Sequence, residues 1–238
     1  MARKKIVFVI VEGPSDDEAL AVLLDRIYDN NSVYVYIAHC DLTTEMDASG
    51  NYVRGYSILN KVGGIVKEYM NRSHLSKTHF REIVHIIDMD GAYIPDEAIQ
   101  QSDEADKPIY SQSTIYTDNV MSIKKRNEQK RGCIDKLSST PSVCGIPYQS
   151  YYMSCNLDHV LYDKLNLTDD EKEKEATQFA KAYKDDIPGF IHFISNSDFS
   201  VTSGYLESWA FIKSEKHSLE RHTNFGICVQ RALDGNNA

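Results

Sequence analysis

Apolar positions fall into short β-branched runs separated by stretches of helical period. Ile6 to Val11 is a continuous apolar run, the pattern of a strand buried on both faces as in a parallel sheet. Glu12-Gly13-Pro14 then reads as a turn. Ser15-Asp16-Asp17-Glu18 has the S-x-x-E form of a capping box, and the helix it opens carries Ala19, Val22, Leu23, Leu24 and Ile27 on its apolar side and ends at Asn30-Asn31. Val33 to Ala38 predicts a second strand, Ser57 to Tyr69 a helix weakened by Gly63-Gly64, and Glu82 to Ile87 a third strand. The resulting β-α-β-α-β order predicts an α/β fold with a mainly parallel sheet flanked by helices.

Beyond Gly91 the pattern loosens. Asp96 to Lys107 is acidic and reads as a solvated loop. Tyr148 to Met153 predicts a fourth strand and Asn156 to Leu165 a helix. Thr168 to Glu171 forms a second capping box, opening a helix to about Lys184. Tyr205, Leu206, Trp209, Ala210 and Ile212 suggest further helix. We therefore expect a core over residues 1–165 with an insertion at about 92–146, and a helical extension over 166–238 packed on that core.

Composition narrows the class. The 238 residues are 42% hydrophobic and 26% charged, ordinary for a globular protein. No apolar run approaches the roughly 18 residues of a membrane span, and the six-residue run after the basic start ends at Glu12 without a cleavage site. A cytoplasmic protein with no membrane association is the expectation. Five cysteines without a C-x-x-C pair suggest free thiols, and the eight histidines form no metal motif. The formal net charge of −9 is unusual for a simple DNA binder, so contact with nucleic acid would need local cations or metal ions. One such stretch exists: between residues 122 and 136, six Lys or Arg face two acids, a local net of +4.

Chemistry concentrates at strand ends. Glu12 follows the first strand, and Asp88 and Asp90 bracket the end of the third, 76 residues later. Open parallel sheets build their sites at the carboxyl ends of strands. In extended backbone Asp88 and Asp90 would point the same way, which suits a hard cation that takes few carboxylates and keeps several waters. Any one of these acids alone would be an ordinary loop residue. Their conjunction is more specific.

That conjunction, Val11-Glu12-Gly13 with Asp88-Met89-Asp90, resembles the TOPRIM domain of topoisomerases, DnaG-type primases, small RNA-maturation nucleases and OLD-family nucleases, over roughly residues 5 to 165. Val11-Glu12-Gly13-Pro14-Ser15-Asp16 looks most like the OLD type, in which a second acid follows the Glu by four residues, here Asp16. Those enzymes also tend to carry an acid in the helix after the fourth strand, and Ser154-Cys155-Asn156-Leu157-Asp158 offers Asp158. The resemblance implies that Glu12, Asp88 and Asp90 are catalytic. It implies Mg²⁺ or Mn²⁺ bound through Glu12, Asp16, Asp88, Asp90 and Asp158, with Glu12 holding metal or handling a proton. Nucleic acid would be the substrate, with Lys124, Lys125, Arg126, Lys130 and Arg131 on its phosphates and Lys213 and Lys216 as weaker candidates. An ordinary solvated helix face is the competing reading of that basic run.

The chain has no G-x-x-x-x-G-K-[ST] loop, so a stand-alone TOPRIM nuclease, or one working with a separate ATPase partner, is implied, with phage defence as a context. It lacks room for the tyrosine-bearing domain of a topoisomerase, and the zinc module and polymerase region of a primase. Two other readings compete. One is a TOPRIM-like module that binds nucleic acid or a partner without turnover. The other is a HAD-like phosphatase with Asp88 as nucleophile. There the motif usually opens the domain and carries Thr where this chain has Ala92, and Glu12 has no task.

Overall fold

Lys5–Val11 (β1), Val33–His39 (β2), Phe80–Asp88 (β3), Ser142–Val143 (β7) and Ile146–Met153 (β8) form one sheet in the order β2-β1-β3-β8-β7. The strands β2, β1, β3 and β8 are parallel, and the short β7 runs antiparallel to β8 at the edge. The fold is thus α/β with a mainly parallel sheet, as the apolar runs predict. The computed structural model describes residues 4–28, 32–40, 42–43 and 55–236.

The β-branched runs are apolar throughout because helices cover both faces. On one face Val7, Val9, Val11, Val84, Ile86 and Met153 pack against Pro14–Ile27 (α1), Leu157–Tyr162 (α4), Asp169–Tyr183 (α5), Ile187–Asn196 (α6) and Phe225–Asn236 (α8). On the other, Ile6, Phe8, Ile10, Ile83, Ile87 and Tyr152 meet Gly55–Arg72 (α2), Val120–Ser138 (α3) and Tyr205–Ile212 (α7). Alternate residues of one strand serve the two layers, as the period of 2 requires. The C-terminal helices contribute Ala176, Phe179, Phe190, Phe225 and Val229 to the same core as β1 and β3.

Several local expectations change. The α1 helix starts one residue before Ser15: Pro14 occupies its first turn and Gly13 is its N-cap, so Asp16, not Glu18, caps the helix by accepting the Gly13 N–H at 2.8 Å. Val22 is 36% exposed, and Leu20 takes its place in the core. Helix α1 ends at Ile27; Asn30 and Asn31 lie outside the described residues. The Gly63-Gly64 pair stays inside α2, where a Cβ on Gly63 would stand 3.2 Å from Cys144 Sγ; its lack of a side chain lets the β7 turn approach. The acidic stretch from Asp96 is not all loop: Ile99–Gln101 (β4) pairs with Ile115–Thr117 (β6), which also pairs with Ile109–Tyr110 (β5). Ile99 and Ile115 bury that small sheet against Leu219. Helix α4 is only six residues, stopped by Asp163 in the left-handed region. All five cysteines are free. Among the described residues no helix is long and apolar enough to cross a membrane.

Candidate metal and active site

Sheet order brings the acids to one end. Since β1 and β3 are parallel neighbours, with Ile10 opposite His85, Glu12 and Asp88 leave the sheet side by side at its carboxyl edge. Met153 lies opposite Asp88, and the chain beyond it reaches Asp158 within two turns of backbone. The segments carrying Glu12, Asp16, Asp88, Asp90 and Asp158 therefore converge at the same edge.

The acids divide into two groups. Asp88 faces the layer of α1, α4 and α5, and its Oδ1 accepts the Leu157 N–H at 3.0 Å. Asp16 and Asp158, both buried, lie on that side. Lys172 of α5 reaches Asp158 Oδ2 at 3.5 Å. Asp90 turns the other way. Its φ of 46° takes it out of extended backbone, so it does not point with Asp88 as a continued strand would require. Its carboxylate instead receives a hydrogen bond from the Lys130 ammonium, which also stands 3.8 Å from Glu12 Oε2. The other Glu12 oxygen accepts the Thr43 hydroxyl at 3.0 Å.

Helix α3 clamps this turn. Arg126 donates to the Asp90 carbonyl at 2.8 Å, Asn127 to that of Gly91 at 3.2 Å, and Arg131 to that of Ala92 at 3.0 Å. The Asp90 amide donates to the Cys155 carbonyl at 2.7 Å. Gly91 completes the turn at φ +66°, where a Cβ would stand 2.6 Å from Leu219 Cδ2. Gly91→Ala should therefore combine backbone strain with overpacking and cost about 2–4 kcal/mol of stability. A melting temperature equal to that of the wild type would show the turn to be pliable.

The five basic residues split accordingly. Lys130 is fully buried and Arg126 nearly so, both committed to the Asp90 turn. This corrects the expectation that they face solvent phosphates. Lys124, Lys125 and Arg131 line an open groove of about 700 Å³ on the outer side of α3, where Lys124 also pairs with Asp96 at 3.2 Å. Lys213 is engaged elsewhere, on Asp135 at 2.8 Å.

Electrostatics follow from this crowding. Burial, then the charges of Glu12, Asp16 and Asp90, push the Asp88 carboxyl well above its usual range. Burial also acts to raise Asp90, but Lys130 and Arg126 override it and hold the group low. Asp16 rises to about 6, chiefly by burial, with the Gly13 hydrogen bond opposing and Asp158 adding. Burial raises Asp158 too, against the pull of Lys172.

For Asp16 the folded state holds the proton more tightly than the unfolded chain, whose reference value is 3.8. Its contribution is therefore fully favourable below about pH 4 and is lost as pH rises through about 6. In EDTA, Asp16→Asn, whose amide oxygen can still accept from Gly13, should leave stability near wild type at pH 4. At pH 7.5 it should raise stability by on the order of 1–3 kcal/mol. Denaturant melts at the two pH values check this; an equal effect at both would contradict it.

The site's donors are all carboxylate oxygens, as a hard cation prefers. Asp158 is 5% exposed in its side chain, and among the described residues its buried Oδ1 has no hydrogen-bond partner. That buried acceptor and the raised Asp88 and Asp16 fit a cation. Among the described residues no three His, Cys, Asp or Glu side chains form a ready-made metal cage. Mg²⁺ requires none, since it binds through one or two carboxylates and retains water.

Two residues of this site escape a motif reading. Thr43 lies between β2 and α2 with no pattern to mark it. Lys172 belongs to the segment after residue 165, although its spacing of four from buried Ala176 places it on the inward face of α5. Comparison with known protein families, with curated proteins and with solved structures returned no match.

Proposed function

We propose that this chain is a TOPRIM-type, metal-dependent nuclease, most like the OLD family, that hydrolyses phosphodiester bonds in DNA or RNA. The observation that carries the reading is the convergence of Glu12 and Asp88-Met89-Asp90 at the carboxyl ends of adjacent parallel strands, with Asp16 and Asp158 beside them. The acids would hold Mg²⁺ or Mn²⁺. When bound, such an ion supplies Lewis-acid charge that offsets charge building on the phosphate. Glu12, oriented by Thr43 and Lys130, is the group to take or return a proton. Lys172, about a third exposed, can turn its ammonium to a phosphate oxygen. A separate ATPase partner and a role in phage defence belong to the same proposal.

The outer groove of α3 is the proposed path for the backbone. Replacing Lys124 and Lys125 by Ser should weaken nucleic-acid binding and flatten its salt dependence by roughly 0.7–0.9 per lost phosphate contact, without touching the acids. An unchanged slope would return both lysines to an ordinary solvated face.

Two observations favour a binding module without turnover: Lys130 already neutralises Asp90, and the acids form no ready-made cage among the described residues. A phosphatase using Asp88 as nucleophile gains no such support. The Leu157 N–H occupies one Asp88 oxygen at 3.0 Å, and Glu12 beside it would have no task in that chemistry. Incubation with labelled DNA and RNA, in Mg²⁺, Mn²⁺ or EDTA, alongside a generic phosphomonoester, separates the three. We expect metal-dependent cleavage of nucleic acid and negligible phosphomonoester turnover. Binding without cleavage favours the module, and phosphomonoester turnover lost in Asp88→Asn but kept in Glu12→Gln favours the phosphatase.

A further inference from the structure

Five acids at one sheet edge carry enough charge for two divalent ions, yet their two groups are not equally open to one. On the α3 side, Glu12 and Asp90 share the Lys130 ammonium. Lys130 is 0% exposed. Its helix is tied on either side of it by Arg126, Asn127 and Arg131 to three successive carbonyls of the Asp90–Ala92 turn. Withdrawing the ammonium would mean breaking that clamp or burying Asp90 against Glu12 without a counter-charge.

On the α1 side the arrangement is looser. Lys172 is 35% exposed at its side chain and reaches one oxygen of Asp158 at 3.5 Å. The other, buried Oδ1 has no hydrogen-bond partner among the described residues. A long, partly solvated lysine can swing away at little cost, whereas a buried one in a fixed pair cannot.

We propose that Lys130 is a built-in cation that permanently replaces one of two divalent ions, so that the chain binds a single ion, on the side of Asp16, Asp88 and Asp158. This deepens the metal-dependent reading above and rests on it. Glu12 and Asp90 then serve to hold Lys130, and through it the geometry of the turn, while the exchangeable ion sits across from them. A lysine in that place gives a fixed single charge that needs no metal supply, and it frees Glu12 from coordination for proton handling.

The test counts Mn²⁺ bound per folded chain, by equilibrium dialysis with metal analysis, without reference to activity. The wild type should bind one ion. Asp158→Asn should lose it, and Asp90→Asn should keep it. Lys130→Met should bind two, provided circular dichroism shows it folded; the two carboxyl variants keep the proposal testable if it does not fold. Two ions in the wild type, a single ion in folded Lys130→Met, or loss of the ion in Asp90→Asn with retention in Asp158→Asn would overturn the single-ion proposal while leaving a metal-dependent nuclease intact. No Mn²⁺ bound by the wild type would overturn both.

Discussion

Glu12→Gln should fold like the wild type and lose about 10²-fold or more of its cleavage rate. The amide retains an oxygen to accept the Thr43 hydroxyl, so the side chain keeps its orientation. It loses the negative charge that Lys130 meets at 3.8 Å and the ability to take a proton. The neighbouring acids are already engaged: Asp90 with Lys130, Asp88 with the Leu157 N–H, Asp16 as the cap of α1 and Asp158 with Lys172. Single-turnover cleavage measured across pH gives a readout that a merely structural role would not move. The wild type should lose rate on the acidic limb as the base protonates, and that limb should flatten in Glu12→Gln. Cleavage at the wild-type rate would remove Glu12 from the mechanism.

The second large effect concerns stability. Lys130→Met, similar in volume, should destabilise the metal-free chain by about 3–5 kcal/mol, because it leaves Asp90 facing Glu12 with its nearest counter-charge gone. The pair itself, by contrast, is close to neutral in net worth, since two desolvated charges offset their own attraction. The double variant Lys130→Met/Asp90→Asn should therefore lose markedly less than the single Lys130→Met. Denaturant melts in EDTA of the wild type, the two single variants and the double give the coupling directly. Additive losses would mean that Lys130 acts through packing of its aliphatic stem, not through the carboxylates.

Much of this arrangement is legible in the chain. Strands buried on both faces announce themselves as unbroken β-branched runs, so β1 and β3, and the acids at their ends, can be located without coordinates. The ends of helices are less legible, because caps compete locally: Ser15 and Glu18 make a valid box, but Pro14 fits a first turn better and shifts the cap to Gly13 and Asp16. The basic run shows a deeper limit. Charge in a sequence reads as surface, and only the helical phase of Ile123, Arg126, Asn127, Lys130, Ile134 and Leu137, all on the buried face of α3, reveals that two of the cations occupy core positions. The opposite aim of Asp88 and Asp90 depends on one left-handed residue, stabilised by contacts from α3 and from Cys155 that lie far away in sequence. No local pattern encodes it.

The most direct test compares the wild type with Asp88→Asn, purified identically, on labelled single- and double-stranded DNA and RNA in Mn²⁺ and in EDTA. Asparagine at 88 can still accept the Leu157 N–H, so the fold is preserved while the central negative charge is removed. The wild type should cleave only with metal, and Asp88→Asn should cleave under neither condition. Equal cleavage by both proteins, or no cleavage of any substrate by the wild type with Mn²⁺, would contradict it.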